Sequence, residues 1–192
     1  MPISESKEAD GELVQRAKEG LLPAFDELVL RYRKNVYAIA FGMTRNHSDA
    51  DDLAQETFLR AYEALDSFKP GYEFRTWLFR IAVNLSINCL KRKGRLLETS
   101  LEERVGLETA APATPHNPGS EMEQKELGGK IEEAVEQLSP KLRSVFLLRT
   151  LQDLSYEEIS KVLKISPGTV MSRLNRARQK LRNLLREYVE DR

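Results

Sequence analysis

The 192-residue chain is poor in the residues that most soluble catalysts and secreted scaffolds depend on. It has one cysteine, Cys89, which excludes a disulfide framework and a cysteine-rich zinc site and fits a reducing compartment. Its only histidines, His47 and His116, stand far apart, and the sequence has no glycine-rich phosphate loop and no nucleophile elbow. The segment HSDAD offers ligand-type side chains, but His47, Asp49 and Asp51 at one helix start read as capping groups rather than a metal site. No apolar run approaches the ~20 residues needed to span a bilayer, and the first fifteen residues, MPISESKEADGELVQ, lack the apolar segment of a signal peptide. These absences predict a cytoplasmic protein that is not an enzyme and needs neither metal nor cofactor. The 41% hydrophobic content is enough to build packed cores.

A net charge of zero conceals a strong asymmetry. Residues 96–124 hold one basic group, Arg104, against six acidic ones. Between Glu158 and Glu187 there is no acid at all, while Lys161, Lys164, Arg173, Arg176, Arg178, Lys180, Arg182 and Arg186 all fall there. A cation run of this kind fits either a solvated helix face or the footprint of a polyanion.

Thr109–Ser120 (TAAPATPHNPGS) has no charged group and three of the eight prolines, so it reads as a flexible linker, with the acidic stretch Leu97–Glu108 as part of the connection. The expected organisation is a domain at 8–95, a linker at 96–122 and a second domain at 123–190. Apolar residues recur at three- and four-residue spacing and strand-type alternation is absent, so both domains are expected to be all-α. The spacing predicts helices over Asp10–Lys18, Pro23–Arg45, Asp49–Leu65 and Phe74–Arg92, then Glu123–Leu138, Lys141–Leu151, Tyr156–Leu163 and Pro167–Tyr188. Ser48 with Asp51, and Ser155 with Glu158, read as capping boxes, and Ser139-Pro140 and Ser166-Pro167 as helix starts.

The last two helices, separated only by Leu163–Ser166, form a helix-turn-helix pattern. Val170, Leu174, Ala177, Leu181 and Leu184 make a buried stripe on the final helix. Ser172, Asn175, Arg176 and Gln179 point away from it, with Thr169, Arg173 and Lys180 on the flank, where they can reach base edges and phosphates in a major groove. In the third helix Ala50, Ala54, Phe58, Ala61 and Leu65 share the core face. The opposite face shows Asp49, Asp52, Gln55, Glu56, Leu59 and Glu63, which fits either docking on a basic partner or ordinary solvation. Phe68, Tyr72, Phe74, Trp77 and Phe79 lie within twelve residues, interleaved with or followed by Arg75, Arg80, Lys91, Arg92, Lys93 and Arg95. Aromatics beside cations build stacking platforms for unpaired bases, although Phe74 reads better as core. Cys89 lies on the apolar stripe of its helix and reads as a small buried hydrophobe.

The segments DADDLAQETFLRAYEALDSFKP, FRTWLFRIAVNLSINCLKRKGR and LSYEEISKVLKISPGTVMSRLNRARQKLR together resemble an alternative sigma factor of the extracytoplasmic function (ECF) type in the sigma-70 family. The resemblance implies a sigma-2 helical bundle and a sigma-4 helix-turn-helix domain bridged by a flexible linker. It implies that Asp52, Gln55, Glu56 and Leu59 dock on the β′ clamp helices of core RNA polymerase. Trp77, Phe79, Arg80, Asn84 and Lys91 would recognise and melt the promoter −10 element. Thr169, Ser172, Arg173, Arg176 and Lys180 would read the −35 element, with sigma-4 also meeting the β-flap. An anti-sigma factor, often membrane-anchored, is the implied regulator. Met171 stands where relatives often carry a basic residue, so their −35 preference does not transfer, and no additional C-terminal domain is expected after Arg192. A dimeric operator-binding regulator accounts for the helix-turn-helix but leaves the aromatic-basic patch unexplained.

Overall fold

The computed structural model describes residues 9–69, 71–103 and 120–190. Eight α-helices follow in order: α1 (Asp10–Lys18), α2 (Leu22–Thr44), α3 (His47–Glu63), α4 (Phe74–Glu103), α5 (Ser120–Glu136), α6 (Pro140–Thr150), α7 (Tyr156–Leu163) and α8 (Pro167–Glu190), with one 3-10 turn at Leu65–Ser67. No strand occurs among the described residues. The all-α expectation therefore holds. Apart from Ser120, which opens α5, the expected linker at 109–120 lies outside the described residues.

Local chemistry sets the helix ends. Ser155 and Glu158 close the expected capping box at α7, with Ser155 N donating to Glu158 Oε2 at 2.7 Å and Glu158 N donating to Ser155 Oγ at 3.2 Å. At α3 the cap is Asn46 rather than Ser48, because the Asn46 side chain accepts from Asp49 N at 2.9 Å and the helix starts at His47. Arg45, at φ 56°, turns the chain out of α2 one residue earlier. The other large difference is α4, which runs to Glu103 instead of stopping at Arg92. Past Gly94 the segment RLLETSLEE holds no proline or further glycine, and an acidic composition alone does not break a helix.

In the N-terminal half, α2 packs on α1, α3 and α4, and Leu28, Ile39, Met43, Leu78 and Phe79 are at most 1% exposed. In the C-terminal half, α5, α6 and α7 pack on α8 through Leu138, Leu148, Ile159 and Leu174. Each such side chain contributes about 1.5–3 kcal/mol of apolar transfer on burial. The α8 stripe appears as expected, with Val170, Leu174, Ala177 and Leu181 buried and Leu184 partly so. Cys89 is 7% exposed in a small cluster with Ala40, Ala50, Leu53 and Leu85. The two halves also touch, α6 lying on α2 and α7 on α4.

Candidate functional site

The described structure brings the expected residues to three surfaces. The first is the outer face of α8. The turn before it is built by Lys164 at φ 52°, with Ile165 N donating to Ser160 O at 3.2 Å and Ser160 Oγ to Ile165 O at 2.6 Å. Ser166 Oγ then accepts from Thr169 N at 3.2 Å and lies 2.9 Å from Thr169 Oγ1. This presents Ser172, Asn175, Arg176 and Gln179 to solvent, with Met171 51% exposed between them and Thr169 and Arg173 half-buried at the edge. Lys180 is exposed, but its ammonium donates to Gln137 O at 2.6 Å, at the carbonyl-rich end of α5.

The second surface surrounds the start of α4. Asn84 and Lys91 are exposed and Arg80 is half-buried. Trp77 is half-buried in an aromatic nest, 5.3 Å from Phe68 and 5.7 Å from Phe74 between ring centroids. Phe79 does not belong to this surface. It is 0% exposed and meets Tyr32 of α2 edge-on at 6.3 Å. It lies one residue, or about 100°, around α4 from Leu78, and α4 is buried on that flank as well.

Beside the nest is a cavity of about 440 Å³ lined by Asp10, Tyr32, Phe68, Tyr72, Glu73, Phe74 and Arg75. Tyr72 is 66% exposed at its mouth. Asp10 accepts from both Tyr32 and Arg31. Burial, followed by the Asp10 hydrogen bond and charge, raises the Tyr32 pKa, so this phenol remains a donor at any working pH.

The third surface is α3. Asp52, Gln55 and Leu59 are exposed, Leu59 at 60%. Glu56 is half-buried and accepts from Arg60 Nε at 2.6 Å, and Asp49 pairs with Lys93 of α4. The acidic face adjoins an apolar groove of about 510 Å³ between α2 and α3, lined by Leu22, Phe25, Val29, Phe58, Leu59 and Tyr62. Leu22 and Tyr62 are 56% and 44% exposed, and Phe25 meets Tyr62 edge-on at 5.1 Å. Sequence patterning finds only the α3 wall of this groove, since the α2 wall lies some thirty residues upstream.

Elsewhere His47 Nδ1 lies 2.6 Å from Tyr37 Oη and the ring stacks on Phe41 at 4.4 Å. No helix among the described residues is long and apolar enough to cross a membrane.

Glu158 links α7 to α4 through its ion pair with Arg75. Burial alone would raise its carboxyl pKa, but hydrogen bonds from Ser155 and the Arg75 charge outweigh that and hold it below the ordinary value of about 4.5. A carboxylate depressed in the folded state contributes stability that is complete above its unfolded pKa and lost as pH falls through the folded value. Melting curves between pH 6 and pH 3 should therefore show an acid-side loss of Tm that shrinks in Glu158→Gln. Identical acid slopes in the two proteins would contradict this assignment.

The helical bundle followed by a helix-turn-helix defines a class of two-domain, all-α proteins. The family model for sigma-70 region 2 matches residues 28–96, and that for sigma-70 region 4 matches residues 128–181. The chain is 35% identical to the RNA polymerase sigma-H factor of Pseudomonas aeruginosa over 190 residues, 97% of this chain and 98% of that one. It is 36% identical to the ECF RNA polymerase sigma-E factor of Escherichia coli over 184 residues, covering 94% and 96%. Against SigE of Mycolicibacterium smegmatis it is 35% identical over 90% of this chain, but spans only 66% of that protein. Among solved structures, CnrH in complex with the cytosolic domain of CnrY has a TM-score of 0.68 and 28% identity, covering 94% of this chain and 99% of that one. The sigma factor RpoE in complex with the anti-sigma factor NepR, from Bartonella quintana, has a TM-score of 0.65 and 27% identity, covering 84% and 96%. The chain belongs to the sigma-70 family, in its extracytoplasmic function group.

Proposed function

We propose that the chain binds bacterial core RNA polymerase in the cytoplasm and directs it to promoters. It acts as an adaptor rather than an enzyme, and an anti-sigma factor controls it. The observation that carries this reading is the outer face of α8, which has no acid from Pro167 to Arg186 and leaves Ser172, Asn175, Arg176 and Gln179 open to solvent. One α-helix fits a B-DNA major groove, and arginine beside small polar side chains matches both base edges and phosphates.

In this reading 8–95 is the sigma-2 domain, 96–122 the linker and 123–190 the sigma-4 domain, which also meets the β-flap. Thr169, Ser172, Arg173 and Arg176 read the −35 element, and Lys180 adds charge beside them. Trp77, Arg80, Asn84 and Lys91 engage the −10 element, and the Tyr72 cavity receives an unpaired base. A base leaving the duplex costs a few kcal/mol of stacking and pairing, which an aromatic pocket offsets without nucleotide hydrolysis. Asp52, Gln55, Glu56 and Leu59 dock on the clamp helices. Each DNA contact alone is modest and salt-sensitive. Tethering both domains to polymerase makes the second contact intramolecular, so weak contacts combine as avidity.

Footprinting of polymerase loaded with the chain tests the α8 assignment. Arg176→Ala should weaken protection of the upstream element roughly tenfold to a hundredfold, the effect of losing ~1–3 kcal/mol of base discrimination. Arg182→Ala should weaken binding about equally on all sequences and lower the salt slope by about one unit. Unchanged upstream protection in Arg176→Ala would remove α8 from DNA reading.

A further inference from the structure

One large apolar side chain stands among the polar groups of α8. Met171 is 51% exposed, whereas every leucine, valine and alanine from Val170 to Leu185 is buried or partly buried. At about 100° per residue Met171 lies roughly 90° around the helix from the buried stripe of Val170, Leu174, Ala177 and Leu181. It begins a row with Asn175, Arg178 and Arg182, at spacings i, i+4, i+7 and i+11, and all four are exposed. The ion pairs among the described residues use neither Arg178 nor Arg182. Gly168, one turn before Met171 on the same side, leaves the helix start open. The nearest side-chain atom to a Cβ built there is Ser166 Oγ at 4.0 Å, so another molecule can approach the backbone closely.

We infer that Met171 and Asn175 form a second base-reading row on α8, specific for A·T pairs in the upstream promoter element. Met171 covers a thymine 5-methyl group, and the Asn175 carboxamide bonds adenine N6 and N7. This rests on the proposed promoter function and adds two residues to Thr169, Ser172, Arg173 and Arg176, which lie towards the opposite side of the same face.

The chemistry of the two side chains selects these bases. In the major groove only thymine presents a methyl group, and only adenine sets an N7 acceptor beside an N6 donor. A carboxamide carries the matching donor and acceptor in one plane. Methionine is unbranched and polarisable, so its side chain follows a methyl surface closely. A cytosine in place of thymine removes the methyl and turns an N4 donor towards a sulfur that accepts only weakly. The position on the helix agrees. Residues near the start of a recognition helix face base edges, and Met171 and Asn175 both fall in the first three turns of α8. Arg178 and Arg182 continue the row one and two turns later, where it meets phosphates. Asn175 stands about 6 Å along the axis from Met171, close to two base-pair steps of ~3.4 Å. The thymine and the adenine therefore belong to pairs one or two steps apart.

Single-atom changes in the DNA test this row. Core polymerase loaded with the full chain is titrated on promoters selected from a library randomised in the upstream element. Deoxyuridine in place of one thymidine removes only the methyl group, and 7-deazaadenine removes only the N7 acceptor. With wild type, one thymidine position should lose about threefold to fivefold in affinity on conversion to deoxyuridine, the effect of one covered methyl. Met171→Ala should lose as much on the thymidine promoter and nothing further on the deoxyuridine one. An adenine one or two pairs away should lose about fivefold as 7-deazaadenine, the effect of one hydrogen bond, and that loss should vanish in Asn175→Ala. Both variants place alanine at exposed helix positions, so circular dichroism should show unchanged helicity. No thymidine position that responds to deoxyuridine, or an equal response in wild type and Met171→Ala, overturns the role of Met171. A 7-deazaadenine loss that persists in Asn175→Ala overturns the role of Asn175. Arg176→Ala separates these failures from a wider one. If it weakens upstream binding while the Met171 and Asn175 variants do not, only the second row is lost. If no α8 substitution changes upstream binding, the DNA-reading role of α8 fails together with this row.

Discussion

Leu59→Arg should leave the chain folded and weaken its binding to core RNA polymerase by at least about a hundredfold. Leu59 is 60% exposed on α3, so replacing it removes no core packing. It sits where the acidic face of Asp52 and Glu56 meets the apolar groove of Leu22, Phe25, Val29 and Tyr62. Protein interfaces concentrate binding energy in an apolar centre ringed by polar groups, and this arrangement has that shape. Covering a leucine is worth ~1.5–3 kcal/mol. A guanidinium buried in its place without a partner adds a desolvation cost of several kcal/mol. Equilibrium titration with labelled core polymerase, beside circular dichroism of the free variant, measures both quantities. Near wild-type affinity in a folded Leu59→Arg protein would move the docking site away from α3.

Phe79→Ala should destabilise the chain by about 3–5 kcal/mol, the cost of emptying a phenylalanine site in a packed core. Total stability for such a protein is about 5–15 kcal/mol, so this is a large fraction. A Tm loss on the order of 10 °C is expected. The side chain is fully buried and rests against Tyr32, which Asp10 in turn fixes. A variant with wild-type Tm that fails only in promoter melting would instead return Phe79 to the DNA surface. Thermal denaturation decides between them.

Phe79 shows where sequence reading succeeds and where it stops. Periodicity finds Leu78, Ala82, Leu85 and Cys89 on the main buried face of α4, and all four are buried. It assumes one buried face, whereas α4 is covered on a second flank that also takes Phe79 and Val83. Capping chemistry was legible where one candidate stood alone, as at Ser155 and Glu158. At α3 both Asn46 with Asp49 and Ser48 with Asp51 present a capping side chain three residues before an acid, and the left-handed Arg45 settles the choice in favour of Asn46. The basic face of α8 was legible because charge and helical period coincide there. The α2 wall of the groove and the Asn35–Gln152 and Arg75–Glu158 links were not. They join ordinary residues 117 and 83 positions apart in two of these pairs, and no local pattern marks them.

The most direct measurement of the central claim is run-off transcription by core RNA polymerase on a pooled promoter library, with and without the full chain. Initiation at a defined set of promoters should depend on the chain and be lost with Asp52→Arg or Arg176→Ala. Absence of chain-dependent initiation, together with tight duplex binding by the chain alone, would contradict that claim and identify an operator-binding regulator instead.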